Sequence, residues 1–120
     1  MIQIKRRKAD ILYSQYIREK RGWQCERCFI KYPPNSKGIQ CSHYFGRAAE
    51  SVRFSEDNCD VLCFSCHQYF TSNPNEYREW KLKKLGAEGL KNLTAQWAIP
   101  QKRDDAKVIM IYKKLLKELT

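Results

Sequence analysis

The stretch Asn58–His67 reads NCDVLCFSCH, and its reading decides the fold. It holds a Cys-x-x-Cys pair, Cys63 and Cys66, with His67 directly after the second cysteine and Asn58 five residues before the first. One such pair is compatible with two buried thiols. A second pair lies upstream in WQCERCF, at Cys25 and Cys28, so the pattern is C-x2-C, 34 intervening residues, C-x2-C. Two knuckles of this kind, brought together by folding, supply the four soft donors that tetrahedral zinc prefers. The gap is longer than in compact zinc ribbons, so it encloses a structural unit.

At 120 residues the chain has room for one small core, and the binding energy of a structural zinc adds directly to folding. The start, MIQIKRRKADILYSQY, has no apolar run of signal-peptide length, and no run approaches the roughly 20 residues that span a bilayer. A cytoplasmic protein without a membrane partner is expected, and six cysteines in a reducing compartment favour metal ligation over disulfides. Lys and Arg number 23 against 13 acidic residues, a formal charge of +10. That surplus is the footprint of a polyanion binder, most often of nucleic acid. Solvated-surface and membrane-surface readings leave unexplained why the basic residues flank the cysteine region on both sides.

The chain divides into a basic arm and helix (1–22), a zinc-stapled core (23–86) and a helical extension (87–120). From Ala9 to Arg21, Leu12, Tyr16, Tyr13 and Ile17 share one face of an amphipathic helix that Gly22 closes. KYPPNSKG is a turn-rich loop, IQCSHYF a short strand, and RAAESVRFSEDN a polar loop leading into the second knuckle. Asn73 as N-cap and Pro74 at the first position open a helix that runs to Gly86. A shorter helix is expected around Glu88 to Trp97, ended by Pro100. In the tail, Val108, Tyr112, Leu115 and Leu119 are spaced like a heptad seam. Such a helix either packs back on the domain or forms a homodimer contact.

His43 lies midway between the knuckles, fifteen residues after Cys28 and fifteen before Asn58. His43, Asn58 and His67, framed by the two cysteine pairs, resemble the signature of the zinc-containing HNH (ββα-metal) endonucleases. A narrower likeness joins LYSQYIREKRGWQCERC, CSHYFGR, VRFSEDN and NPNEYREWKLKKLGAEGL to the NinG/Rap group of lambdoid phage recombination endonucleases. It covers about residues 9 to 95. The spacing from Cys28 to His43 is also similar to that of phage endonuclease VII-type junction resolvases. The resemblance implies an α+β fold with a small ββα-metal core stapled by a four-cysteine zinc site and flanked by helices. It implies a metal-dependent DNA endonuclease of phage or prophage origin, acting in the host cytoplasm and selective for branched recombination intermediates. An HNH nickase serving packaging or homing, and a non-catalytic zinc module that binds DNA, are the rival readings.

Phosphodiester hydrolysis needs a deprotonated water in line with the leaving oxygen, and positive charge at the phosphate. His43 is the candidate general base. His67 is the candidate ligand of a catalytic divalent cation, magnesium or manganese. Asn58, as in the family, would hold the loop opposite the first strand and orient His43. Arg47 can clamp a phosphate bidentately, and Arg53 either does the same or is a surface arginine. Many HNH chains carry a metal-binding Asp just before the base, and NinG-like chains carry one two positions before it. Here those places hold Ser42 and Cys41. Either His67 holds the cation with water and phosphates, with Ser42 or Cys41 assisting, or a carboxylate such as Asp57 or Asp60 comes in, or activity is weak. Cys41 and Cys59 read as small buried hydrophobes, with a supplementary metal role for Cys41 as the alternative. DNA phosphates would be met by Lys5, Arg6, Arg7, Lys8, Arg18, Arg21, Arg47, Arg53 and the Lys81 to Lys84 region.

Overall fold

The computed structural model describes residues 5–119. In chain order it has α1 (Lys8–Lys20), β1 (Ile39–His43), α2 (Glu50–Arg53), a 3-10 turn (Glu56–Asn58), β2 (Cys59–Cys63), α3 (Phe64–Ser72), α4 (Pro74–Ala98) and α5 (Asp105–Leu119).

Local chemistry sets most of these boundaries. Asp10, in the first turn of α1, accepts the Arg7 backbone N–H at 2.7 Å. At the other end, Trp23 N–H reaches Arg18 O at 2.9 Å and Gly22 N–H reaches Glu19 O at 3.2 Å. This is the pair of bonds that closes a helix over a left-handed residue, and Gly22 has φ 74°. Helix α3 starts where β2 stops, and the Cys63 thiol accepts the Cys66 N–H at the junction. Pro74 opens α4 as expected, but Asn73 does not cap it with its side chain. Its amide donates instead to Tyr69 O at 2.8 Å, because α3 ends one residue earlier and leaves its last carbonyls in need of donors. Gly86, at φ 76° and ψ 167°, interrupts α4, so the two helices expected on either side of it abut with a kink.

The sheet is a two-stranded antiparallel pair in which Ile39 faces Cys63, Cys41 faces Val61, Ser42 faces Asp60 and His43 faces Cys59. Side chains alternate along a strand, so Cys41, His43 and Cys59 turn toward α1, where the Tyr13 ring lies 6.4 Å from the His43 ring. Ser42 and Asp60 turn toward α4. There Tyr77 Oη lies 3.1 Å from Ser42 Oγ and donates to Asp60 at 2.6 Å, and Lys81 and Lys84 donate to the same carboxylate at 2.8 and 2.6 Å. Lys81 and Asp60 are fully buried. The expected role of Lys81 at a DNA surface is therefore corrected: its ammonium compensates an interior carboxylate.

Helix α5 lies along α1. Tyr112 meets Tyr13 edge-on at 4.9 Å and Tyr16 at 5.3 Å, and Leu115 and Leu116 join the same cluster. The apolar seam thus packs back on the chain through Tyr112 and Leu115, and Leu119 at its end stays exposed. No described helix is long and apolar enough to cross a membrane.

Candidate metal centre and basic cavity

Cys25 and Cys28 sit on a turn closed by Phe29 N–H to Cys25 O at 2.9 Å and Cys25 N–H to Ile30 O at 3.0 Å. The left-handed φ of Phe29, 65°, reverses the chain there. Cys63 and Cys66 sit on the junction of β2 and α3. The four sulfurs lie within 4.8 Å of one another. Sulfurs bound 2.3 Å from a tetrahedral zinc stand about 3.8 Å apart, and Cys28 Sγ and Cys63 Sγ are 3.8 Å apart. The donors also have partners suited to thiolates. Cys28 and Cys66 N–H groups point at Cys25 and Cys63 sulfurs at 3.5 Å, and Arg27 donates to Cys66 Sγ at 3.4 Å. Burial pushes the Cys25 thiol up, but backbone N–H groups of Cys28, Cys63 and Arg27 outweigh it and bring it down to about 7. Cys66, raised to about 12 by burial and by the neighbouring Cys63 and Cys25 despite Arg27, is the thiol that most needs a cation to ionise. The cluster could hold a structural metal such as zinc.

A cavity of about 710 Å³ opens beside β1. His43 and His67 both line it, together with Cys41, Gln40, Asp10 and the basic side chains Arg6, Arg18, Lys37 and Arg47. His43 Nε2 lies 3.0 Å from Arg53 O. A carbonyl only accepts, so Nε2 carries the proton, and in the neutral ring Nδ1 holds the lone pair. His67 Nδ1 lies 2.5 Å from Gln40 Oε1, which by the same logic leaves the His67 lone pair on Nε2. Burial pulls the His43 pKa down, but its contact with Cys59 and its bond to Arg53 O win and raise it. His67 is lowered by burial and then by the charge of His43, so the two rings sense each other.

Asn58 is fully buried. Its amide donates to Phe45 O at 2.9 Å and Val52 O at 3.1 Å, and its oxygen accepts Phe45 N–H at 2.8 Å. It pins the segment after β1 and acts on His43 one step removed, through the chain next to Arg53 O.

The remaining residues separate by partner. Arg53 is buried, grips Asp10 at 2.8 and 2.6 Å and donates to Arg47 O and Lys5 O. Arg7 bridges Glu50 at 2.8 Å and Asp105 at 2.9 Å. Arg21 bonds Glu26, Cys59 O and Glu56 O. These three guanidiniums tie the fold together, Arg53 from a buried position and Arg7 and Arg21 from partly exposed ones. Arg18 lies over the Trp23 ring at 4.9 Å and still lines the cavity, as do Arg6 and Arg47; Lys5 and Lys8 are exposed. Neither Ser42 nor Asp60 lines the cavity, since both are engaged by Tyr77 on the α4 side, and Asp57 is exposed and does not line it.

Two cavity residues escaped the reading of the sequence, Asp10 and Gln40; Cys59, read as a small buried hydrophobe, is fully buried and also touches His43. Gln40 and Asp10 carried no local signal. Cys59 did, because a strand brings an i,i+2 pair such as Cys41 and His43 to one face, but the partner strand's register was needed to add Cys59 to it.

The fold and the cluster together define a small α+β protein with a four-cysteine candidate metal centre beside a two-stranded sheet. The family model of the bacteriophage lambda NinG protein matches residues 6–120, and the chain belongs to that family. Comparison with curated proteins and with solved structures gives no match.

Proposed function

We propose that the chain is a DNA endonuclease of the HNH class, acting on branched intermediates of phage recombination. The observation that carries this reading is that His43 and His67 line one cavity whose other walls hold Arg6, Arg18, Arg47 and Lys37. Such a cavity suits a phosphodiester, which brings negative charge for the cations and a reacting water for a base. The Arg53 carbonyl fixes the His43 tautomer, and Nδ1 takes the proton of the attacking water. Gln40 fixes His67, and the lowered pKa of His67 keeps that ring neutral near pH 7. Arg47 and Arg18 bind and orient the phosphate.

Magnesium is usually held by one or two free carboxylates together with water and substrate phosphates. Among the described residues that line the cavity the one carboxylate, Asp10, is held by Arg53 through both oxygens. We therefore derive no step through a hard cation. That same lack of a free carboxylate favours a second reading, a DNA-binding module without catalysis.

Nicking of supercoiled plasmid and cleavage of a four-way junction, each with magnesium or manganese, test the proposal. Wild type should cut the junction faster than a linear duplex of the same sequence, and His43→Ala should lose about 10²–10⁴-fold in rate. Equal inertness of wild type and His43→Ala selects the binding module, and equal rates on junction and duplex remove the branch preference.

A further inference from the structure

We propose that Cys41, His43 and Cys59 form a second metal site, separate from the four-cysteine cluster and suited to a soft divalent cation of the zinc class. One ligand atom from each lies within 4.8 Å of the other two. The sheet builds the group: His43 stands opposite Cys59 in the antiparallel register, and Cys41 is two residues along on the same face. Two thiolates and one imidazole are a donor set that zinc accepts with a fourth position left open. The opening is toward the basic cavity, which Cys41 and His43 line while Cys59 is fully buried behind them. Thiolate donors select zinc-like ions over magnesium and calcium.

An independent observation points the same way. Among the described residues the buried hydroxyl of Tyr13 has no oxygen or nitrogen acceptor and faces only the thiol of Cys59. A neutral thiol is a weak acceptor, whereas a metal-bound thiolate gives a buried O–H the strong acceptor it lacks. The Arg53 carbonyl plays the matching part for His43 by holding Nε2–H, which leaves Nδ1 as the ligating nitrogen.

One consequence rests on the nuclease reading. Ligation uses the lone pair that a general base needs, so an ion at this site and cleavage by His43 exclude each other.

The test is a titration of the metal-free full chain with cobalt(II), following thiolate-to-cobalt charge-transfer absorption and bound metal by equilibrium dialysis. Wild type should bind two equivalents, one for each group of donors. Cys41→Ser and His43→Gln, checked for folding by circular dichroism, should keep the first equivalent and weaken the second by about 10-fold or more. Saturation of wild type at one equivalent overturns the site, as does an unchanged second equivalent in both variants. Plasmid cleavage in magnesium or manganese is followed in parallel. Cleavage that stops at the second equivalent supports the exclusion, and cleavage that continues overturns it. Two equivalents bound with no cleavage under any condition supports the site and removes the nuclease reading instead.

Discussion

Asp10 lies 4% exposed at the start of α1 and holds Arg53 in a two-pronged ion pair. Burial works against its carboxylate, but the bonds from Arg53 and from the Arg7 backbone N–H win and hold its pKa below the ordinary 3.8. The folded state thus binds this proton more weakly than the unfolded one. The resulting stability is complete above the ordinary value and drains away as pH falls through the folded one. Asp10→Asn should cost about 3 kcal/mol at pH 7, because it strands a buried guanidinium. In urea titrations the gap between variant and wild type should narrow as pH drops below 3.8. Arg47 and Arg53 should behave oppositely in DNA-binding assays. Arg47→Ala should leave the urea midpoint unchanged and lower the salt slope of binding by about 1, whereas Arg53→Ala should fail first in the urea titration. Sequence alone gave both arginines the same candidate role, because a charge shows its sign in the chain and its partner only in space. Asp10 and Arg53 are 43 residues apart.

Within the helices, Gly86 carries a backbone conformation that only glycine adopts readily, and a Cβ added there meets nothing within 4 Å. Gly86→Ala should therefore cost about 1–3 kcal/mol from backbone strain alone, readable as a lowered urea midpoint. Tyr112 anchors α5 on Tyr13 and Tyr16, and Tyr112→Ala should cost about 2 kcal/mol, with faster amide exchange confined to α5 and the facing turns of α1. Helices and their ends were the most legible part of this chain. Gly22, Pro74, Gly86 and Pro100 act on the backbone through their own geometry, so their effect needs no knowledge of the fold. The Asn73 cap was misread for the complementary reason. An asparagine offers its amide to whichever carbonyl is nearest, and the proximity of α3 decided that. The depth of Asp60, Lys81 and Arg53 was equally hidden, since each looks like a surface charge until its partner is in place.

At the scale of the whole chain, the paired cysteines were legible because their spacing encodes local turns, and the 34 residues between them carry His43, Cys41, Cys59 and Asn58. A metal on the four sulfurs would close that segment into a ring. Stripping the purified protein with a chelator should lower its thermal midpoint by about 10 °C or more, and readdition of zinc should restore it; an unchanged midpoint would mean the cluster holds no structural ion. The sulfurs in the cluster are unequal in what else they do. Cys63 ends β2 and also accepts the N–H that starts α3, whereas Cys28 is exposed on its turn. Altering Cys63 would thus break a splice between two elements along with a ligand, and the result could not be apportioned. Cys28 is the position at which ion affinity can be graded by His, Asp or Ser while the architecture stays intact, giving a dose–response where its neighbour gives only collapse.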